Sequence, residues 1–203
     1  WQEIRVPLAE VNRVLGFAPR VRPPAAAAVV RGGNSYDEVP YESHAFAQTH
    51  PDRLATLATL FGMTPAPVDR CRVLELGCGN GANLIPMAFG LPDSQFVGLD
   101  LAGAAIARGQ AMVQTLGLTN VALHHVDLLD VPADFGEFDY IIAHGVYSWI
   151  PAAARDKLLA ICNAQLAPNG VSYVSYNAQP GGHLRTMLRD MMLFHVQHIA
   201  DPD

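Results

Sequence analysis

Hydrophobic and polar positions follow two different periods along this chain, and the two alternate from position 72 to position 176. Short uninterrupted apolar runs, typical of strands buried on both faces, are separated by segments in which apolar residues recur at every third or fourth position. The second spacing is typical of helices with one apolar face. Strands alternating with helices predict a parallel sheet, whose ligands bind at the carboxyl ends of the strands.

The predicted elements fit an α/β fold built as a three-layer sandwich with a mostly parallel sheet. Five strands are predicted at 72–76, 95–99, 121–126, 139–143 and 170–176, and helices at 82–89, 104–116, 152–166 and 183–198. An earlier helix is expected to begin with Thr49 as N-cap and Pro51 in its first turn, and to end at Gly62.

The N-terminal third differs from the rest in composition. Proline, alanine and glycine dominate the end of residues 1–33, which predicts an arm or linker. Residues 34–69 start with a mixed aromatic and polar stretch and are expected to form a lid segment and a capping helix. Residues 70–203 are predicted to be the core of the domain.

The last predicted helix has an apolar stripe. Its members are Leu184, Met187, Leu188, Met191 and Phe194. The stripe is expected to pack in the core or in an interface, because such stripes rarely bind a ligand.

Length and charge narrow the classes of partner. A chain of 203 residues is about one domain. It has no apolar run of about 18 residues and no signal-peptide pattern, so a cytoplasmic protein without a membrane partner is expected. The net charge is −6 without a basic stripe, and no nucleic acid is expected as a partner.

Because the sequence begins at Trp1, we expect a piece of a longer protein.

A glycine-rich turn follows the first predicted strand. Glu75 lies near the end of the strand, and Gly77, Gly79 and Gly81 alternate with other residues before an apolar helical run. The spacing differs from the Gly-x-Gly-x-x-Gly turn that binds a dinucleotide pyrophosphate. With Asp100 closing the next strand, it resembles the first motif of class I S-adenosyl-L-methionine (SAM) methyltransferases.

This resemblance implies a role for each acid and glycine. Gly77 and Gly79 let the backbone approach the methionine tail, and Glu75 orders that loop or binds the ammonium group. Asp100 is placed to accept hydrogen bonds from the ribose hydroxyls, with a helix N-cap as the alternative. Asp127 is placed to accept from the adenine amino group. The expected cofactor-binding residues are Tyr41, Ser43, Thr49, Glu75, Gly77, Gly79, Asp100, Leu101, Asp127, Leu128 and His144.

The methyl acceptor is expected beyond the fourth strand. His144 and Tyr147 are the polar candidates for catalysis there, and Trp149 belongs either to the core or to the site. His124 and His125 alternate across a strand, so they do not share a metal, and no metal is expected.

Several motifs together resemble one bacterial family. They are residues 36–62, the glycine motif, residues 144–151, residues 171–177 and Pro180-Gly181. The family joins a class I methyltransferase domain to a methyltransferase regulatory domain, and includes rickettsial protein-lysine methyltransferases that act on outer-membrane proteins. The sheet of that class usually has about seven strands, and the last two have no counterpart before Asp203.

The resemblance implies an enzyme that uses SAM, releases S-adenosyl-L-homocysteine (SAH) and methylates a protein lysine. Two alternatives are a small-molecule methyltransferase domain of a larger biosynthetic enzyme and a SAM-binding regulatory module without turnover. The expected partners are a protein or small-molecule acceptor, with further domains of a longer chain or a second copy in a homodimer.

Overall fold

The computed structural model describes residues 43–178 and 180–198. Its five strands form one parallel sheet in the order β3-β2-β1-β4-β5. The strands are β1 (Arg72–Leu76), β2 (Gln95–Asp100), β3 (Val121–His125), β4 (Phe138–Ala143) and β5 (Leu166–Val174). The helices are α1 (Pro51–Leu60), α2 (Leu84–Gly90), α3 (Gly103–Thr115), α4 (Ala152–Gln165) and α5 (His183–Val196).

The order of the strands fixes where a ligand binds. The chain moves outward from β1 through β2 to β3, and then returns to pair β4 with the other side of β1. The connections from β1 and β4 therefore leave the sheet in opposite directions, and a crevice opens at the carboxyl ends of these two strands.

Helices cover both faces of the sheet, which confirms the predicted layered α/β fold. Side chains alternate along β1, so Val73 joins a cluster with residues of α1, α2 and α3, whereas Leu74 joins a cluster with residues of α4. Both side chains are fully buried. The alternation also places Glu75 on the Val73 face.

Most predicted boundaries agree with the structure to within two residues, and β1 matches throughout. The exception is β5, which begins at Leu166, four residues before its predicted start. The prediction ended the preceding helix at Leu166 and began the strand at Gly170, leaving residues 167–169 between them. These three residues instead belong to the strand and lie at an irregularity, where Leu166 pairs with Phe138 and Val171 with Tyr140.

The predicted N-cap of α1 is wrong. His50 is the N-cap, and its Nδ1 accepts a hydrogen bond of 3.2 Å from the backbone N–H of Asp52. Thr49 is fully buried and its hydroxyl bonds elsewhere. Pro51 does occupy the first turn, as predicted.

The apolar stripe of α5 does not belong to the core of the described residues. Every residue of the stripe is at least half exposed, and α5 contains no buried residue. Packing in an interface stays a prediction. The division at positions 33 and 69 also stays a prediction, because residues 1–33 and the start of the lid segment, including Tyr41, lie outside the described residues.

In the described ranges, no helix has both the length and the apolar character needed to cross a bilayer.

Close packing of α3 on the glycine-rich turn gives a testable prediction. A Cβ at Gly109 would lie 2.5 Å from Leu123 Cδ1 and would also overlap the carbonyl oxygen of Asn80. Gly109→Ala should therefore lower the free energy of unfolding by about 1–3 kcal/mol in urea denaturation, although alanine favours helices. Gly90→Ala is the control, since a Cβ at Gly90 meets nothing within 4 Å. Equal stability of the two variants would contradict the packing.

Candidate active site

The glycine-rich turn connects β1 to α2 and is held against the end of β2. The backbone N–H groups of Gly77 and Cys78 both donate to the carbonyl oxygen of Leu99, at 2.8 and 3.1 Å. Gly77 and Gly79 have φ angles of +76° and +57°, which residues other than glycine rarely adopt. A Cβ on Gly77 would overlap Val146, and a Cβ on Gly79 would lie 2.5 Å from Ser43 Oγ. The turn is therefore approached by the segment after β4 and by the lid segment.

Asp100 ends β2 and binds two backbone N–H groups beside this turn. Its Oδ2 accepts from Gly79 at 2.7 Å and its Oδ1 accepts from Ala102 at 2.8 Å. The carboxylate thus closes the turn before α3, but the alternative that made Asp100 the N-cap is wrong, because the N-cap of α3 is Ala102. Each carboxylate oxygen can accept a further hydrogen bond. The contact with ribose hydroxyls is compatible with this geometry and stays a prediction.

Glu75 is a buried carboxylate, and only 4% of the residue is exposed. Its Oε1 accepts a hydrogen bond of 2.7 Å from Asn83 Nδ2. Its Oε2 is buried and has no hydrogen-bond partner among the described residues. Burial raises the pKa of Glu75 to about 7, although Asn83 opposes the shift, and the charge of Asp100 raises it further.

Asp127 and Leu128 follow β3 at the same edge of the sheet. Asp127 Oδ1 accepts a hydrogen bond of 2.9 Å from the backbone N–H of Leu129 and caps a short 3-10 turn. Leu128 packs partly against the cluster on the α4 face, and Leu101, after β2, is half-buried. A contact with adenine is not tested by this geometry and stays a prediction.

The described part of the lid segment lies on the site. Thr49 Oγ1 donates to the carbonyl oxygen of Phe46 at 2.8 Å, and Asn83 Nδ2 donates to Thr49 Oγ1 at 3.0 Å. The backbone N–H of Phe46 donates to Asn83 Oδ1 at 2.9 Å. Thr49 is therefore bonded to a residue just after the glycine-rich turn, and Ser43 lies beside Gly79 of the turn itself.

Asn83 connects these groups, and the sequence analysis did not identify it. The asparagine precedes α2 and is only 4% exposed. The signal available in the sequence was a lone amide between Gly81 and the apolar run of the helix.

His144 lies just beyond β4, between the lid segment and β5. Its ring centroid is 4.2 Å from that of Phe46 and 5.8 Å from that of Tyr173. Its Nε2 lies 3.5 Å from Gln48 Nε2, and its Nδ1 is buried without a partner among the described residues. Desolvation lowers the pKa of His144, so the imidazole is neutral near pH 7.

Tyr147 has different surroundings. It packs against the cluster on the α4 face, and the Arg155 guanidinium carbon lies 5.8 Å from its ring centroid. Tyr147 thus contacts apolar side chains and Arg155, whereas His144 lies between the rings of Phe46 and Tyr173. Trp149 is half exposed, so the alternative that places it in the core is wrong.

The loop that carries these residues is braced by the chain after β5. The backbone N–H of Gly145 donates to Ser175 Oγ at 2.8 Å, and that of Asn177 donates to Ser148 Oγ at 2.7 Å. Trp149 and Tyr176 are exposed by 50% and 68%. Two aromatic surfaces are therefore accessible near the carboxyl ends of β4 and β5.

Comparison with known proteins agrees with this geometry. Residues 73–170 match a family model described as a methyltransferase domain. PKMT2 from Rickettsia typhi in complex with AdoHcy has a similar structure, with a TM-score of 0.74 and 38% identity over 81% of this chain and 32% of that one. This chain carries a class I SAM-dependent methyltransferase domain. The resemblance to rickettsial methyltransferases is confirmed.

Two proteins from Rickettsia prowazekii (strain Madrid E), both described as uncharacterised, are also related to this chain. One is 49% identical over 80% of this chain and 29% of its own length. The other is 42% identical over 79% of this chain and 64% of its own length. The chain thus spans less than two thirds of either relative.

The residues of the methyltransferase domain fit its cofactor. Glu75 Oε2, which has no hydrogen-bond partner in the described part of the chain, is an acceptor suited to an ammonium group, and Asp100 has acceptor capacity for hydroxyls. The bare backbone at Gly77 and Gly79 suits close approach by a ligand.

The buried carboxylate predicts how stability depends on pH. Since folding raises the pKa of Glu75 from 4.5 to about 7, the folded chain binds more protons than the unfolded chain between these values. Stability from this group is therefore present below pH 4.5 and lost as pH rises through 7. Glu75→Gln should gain about 3 kcal/mol relative to the unaltered chain between pH 4.5 and 8 in urea denaturation. If the difference in free energy of unfolding between Glu75→Gln and the unaltered chain were the same at every pH, the raised pKa of Glu75 would be contradicted.

Proposed function

We propose that this methyltransferase domain transfers the methyl group of SAM to the side-chain amine of a lysine in a protein. The observation that carries the proposal is the position of His144, a neutral imidazole between two aromatic rings where the acceptor is expected. The similarity to PKMT2 from Rickettsia typhi supports a protein acceptor. The net charge of −6 also favours a basic peptide over a nucleic acid.

Four groups of the chain would hold the cofactor. Glu75 Oε2 would accept from the ammonium of the methionine tail, and the backbone at Gly77 and Gly79 would line that tail. Asp100 would bind the ribose hydroxyls, and Asp127 the adenine amino group. When bound, SAM would supply a methyl carbon to the acceptor nitrogen, and SAH would leave as a neutral thioether that keeps the electron pair of the broken carbon–sulfur bond.

The chain's remaining task is to present an uncharged acceptor. A lysine ammonium must lose a proton before its nitrogen has a lone pair for attack. Apolar aromatic surroundings such as Phe46 and Tyr173 lower the pKa of a lysine because they solvate the ammonium poorly. His144 can take the proton, since its imidazole is neutral near pH 7. Exposed Trp149 and Tyr176 would contact the peptide around the lysine.

The cofactor contacts can be tested by calorimetry with SAH. Asp100→Ala should weaken SAH binding by about 1–3 kcal/mol, because the ribose hydroxyls lose their acceptor. Asp93→Ala is the control, since this exposed residue lies just before the opposite end of β2. The assignment of Asp100 is wrong if both variants bind SAH equally well.

The acceptor can be identified by mass spectrometry. The chain is incubated with SAM and with separated protein and small-molecule fractions of a bacterial extract. Each transferred methyl group should add about 14 Da to lysine-containing peptides, the mass difference between a methyl group and the proton that it replaces. Methylation confined to a small oxygen or carbon acceptor would refute the lysine proposal, and SAM binding without any product would favour a regulatory module.

The role of His144 can be separated from cofactor binding. His144→Phe keeps an aromatic ring between Phe46 and Tyr173 but removes both nitrogens. We expect the rate of methyl transfer to fall by about 100-fold, far more than the Kd of SAH changes through loss of the cofactor contact that is also expected at His144. Raising the pH should partly restore the rate of the variant, because more of the lysine is then unprotonated. An unchanged rate would exclude His144 as the base.

A further inference from the structure

Asn83 makes hydrogen bonds to two separate parts of the site. On one side its Nδ2 donates to Glu75 Oε1 at 2.7 Å. On the other side its Oδ1 accepts from the backbone N–H of Phe46 at 2.9 Å, and its Nδ2 also donates to the hydroxyl of Thr49 at 3.0 Å. The side chain thus joins the carboxylate of β1 to the lid segment, which precedes it by more than thirty residues.

The two sets of contacts fix the orientation of the amide. Only the amide nitrogen can donate to the Glu75 carboxylate, so the oxygen must face Phe46. Phe46 in turn packs edge-on against His144, with ring centroids 4.2 Å apart. A continuous chain of contacts therefore runs from Glu75 through Asn83 and Phe46 to His144.

We propose that Asn83 is a positioning residue that couples a bound cofactor at Glu75 to the ordering of residues 43–50 over the site. The proposal rests on the proposed function, because it takes the ammonium of the methionine tail as the partner of Glu75 Oε2. Residues 43–50 then hold Phe46 against His144 when the cofactor is present.

The physical basis is the charge of Glu75. A cation beside Oε2 favours the ionised carboxylate, and a hydrogen bond to an ionised acceptor is about twice as strong as one between neutral groups. The strengthened bond polarises the amide of Asn83 and makes its oxygen a better acceptor for the N–H of Phe46. Among the described residues, Asp100 and Cys78 are the other titratable groups that interact with Glu75. Neither makes a side-chain hydrogen bond to residues 43–50, the described start of the lid segment.

Hydrogen exchange on the intact chain tests the coupling, with and without saturating SAH. In the unaltered chain, SAH should slow exchange of peptides from residues 43–50 by about tenfold or more. In Asn83→Ala, SAH should slow exchange of this segment by less than about twofold, while peptides from β2 still gain protection. Calorimetry on each variant sets the concentration of SAH that saturates it.

A matched variant controls for general loss of stability. Asn120 is also a buried asparagine, at 7% exposure, and its amide donates to the carbonyl oxygens of Ala88, Leu91 and Ser94, which lie outside the lid segment. Asn120→Ala should lower stability yet keep the tenfold effect of SAH on residues 43–50. Loss of the effect in both variants would show that Asn83 acts only through stability, which would overturn the proposal.

A milder variant keeps the test decisive if Asn83→Ala does not fold. Thr49→Val replaces with a methyl group the hydroxyl that accepts from Asn83 and donates to the carbonyl oxygen of Phe46, so SAH protection of residues 43–50 should fall about threefold. Full protection in Thr49→Val, or in a folded Asn83→Ala, would overturn the coupling while SAH binding still supports the proposed function. If the unaltered chain does not bind SAH, the proposed function fails, and the coupling fails with it.

Discussion

The hydrogen bond between the buried carboxylate of Glu75 and the amide of Asn83 is the interaction on which this site depends. Burial of a carboxylate is costly unless each oxygen finds a donor or a cation. Asn83 satisfies one oxygen, and the other has no partner among the described residues. The chain thus keeps a group that lowers its stability at neutral pH and that a bound cation would stabilise, as is common where a site is prepared for a ligand.

The topology of the sheet explains why this carboxylate cannot move to water. β1 lies between β2 and β4, and Glu75 shares a face with the apolar cluster around Val73. The same topology brings three segments to the glycine-rich turn. Asp100 comes from β2, Val146 follows β4, and Ser43 belongs to the lid segment. Val146 and Ser43 lie where a Cβ on Gly77 and on Gly79 would be, and Asp100 accepts from the backbone N–H of Gly79.

The sequence was informative where a local pattern determines structure. Uninterrupted apolar runs located the strands, and the alternating glycines located the turn and the acids near it. The sequence was less informative where the role of a side chain depends on contacts with residues far away in the chain. Asn83 matters because of Glu75, Phe46 and Thr49, and its two partners in the lid segment are more than thirty residues away. The start of β5 was missed because an irregularity in an edge strand resembles a turn in sequence.

The most direct test of this account is a carbon-13 NMR titration of the Glu75 carboxyl group, with and without saturating SAH. Without SAH, its pKa should be about 7, as burial and the single donor imply. With SAH, an ammonium beside Oε2 should lower the pKa of Glu75 clearly below 7, because the positive charge favours the ionised carboxylate. The same pKa in both states would contradict the claim that Glu75 is the group that receives the cofactor's cation.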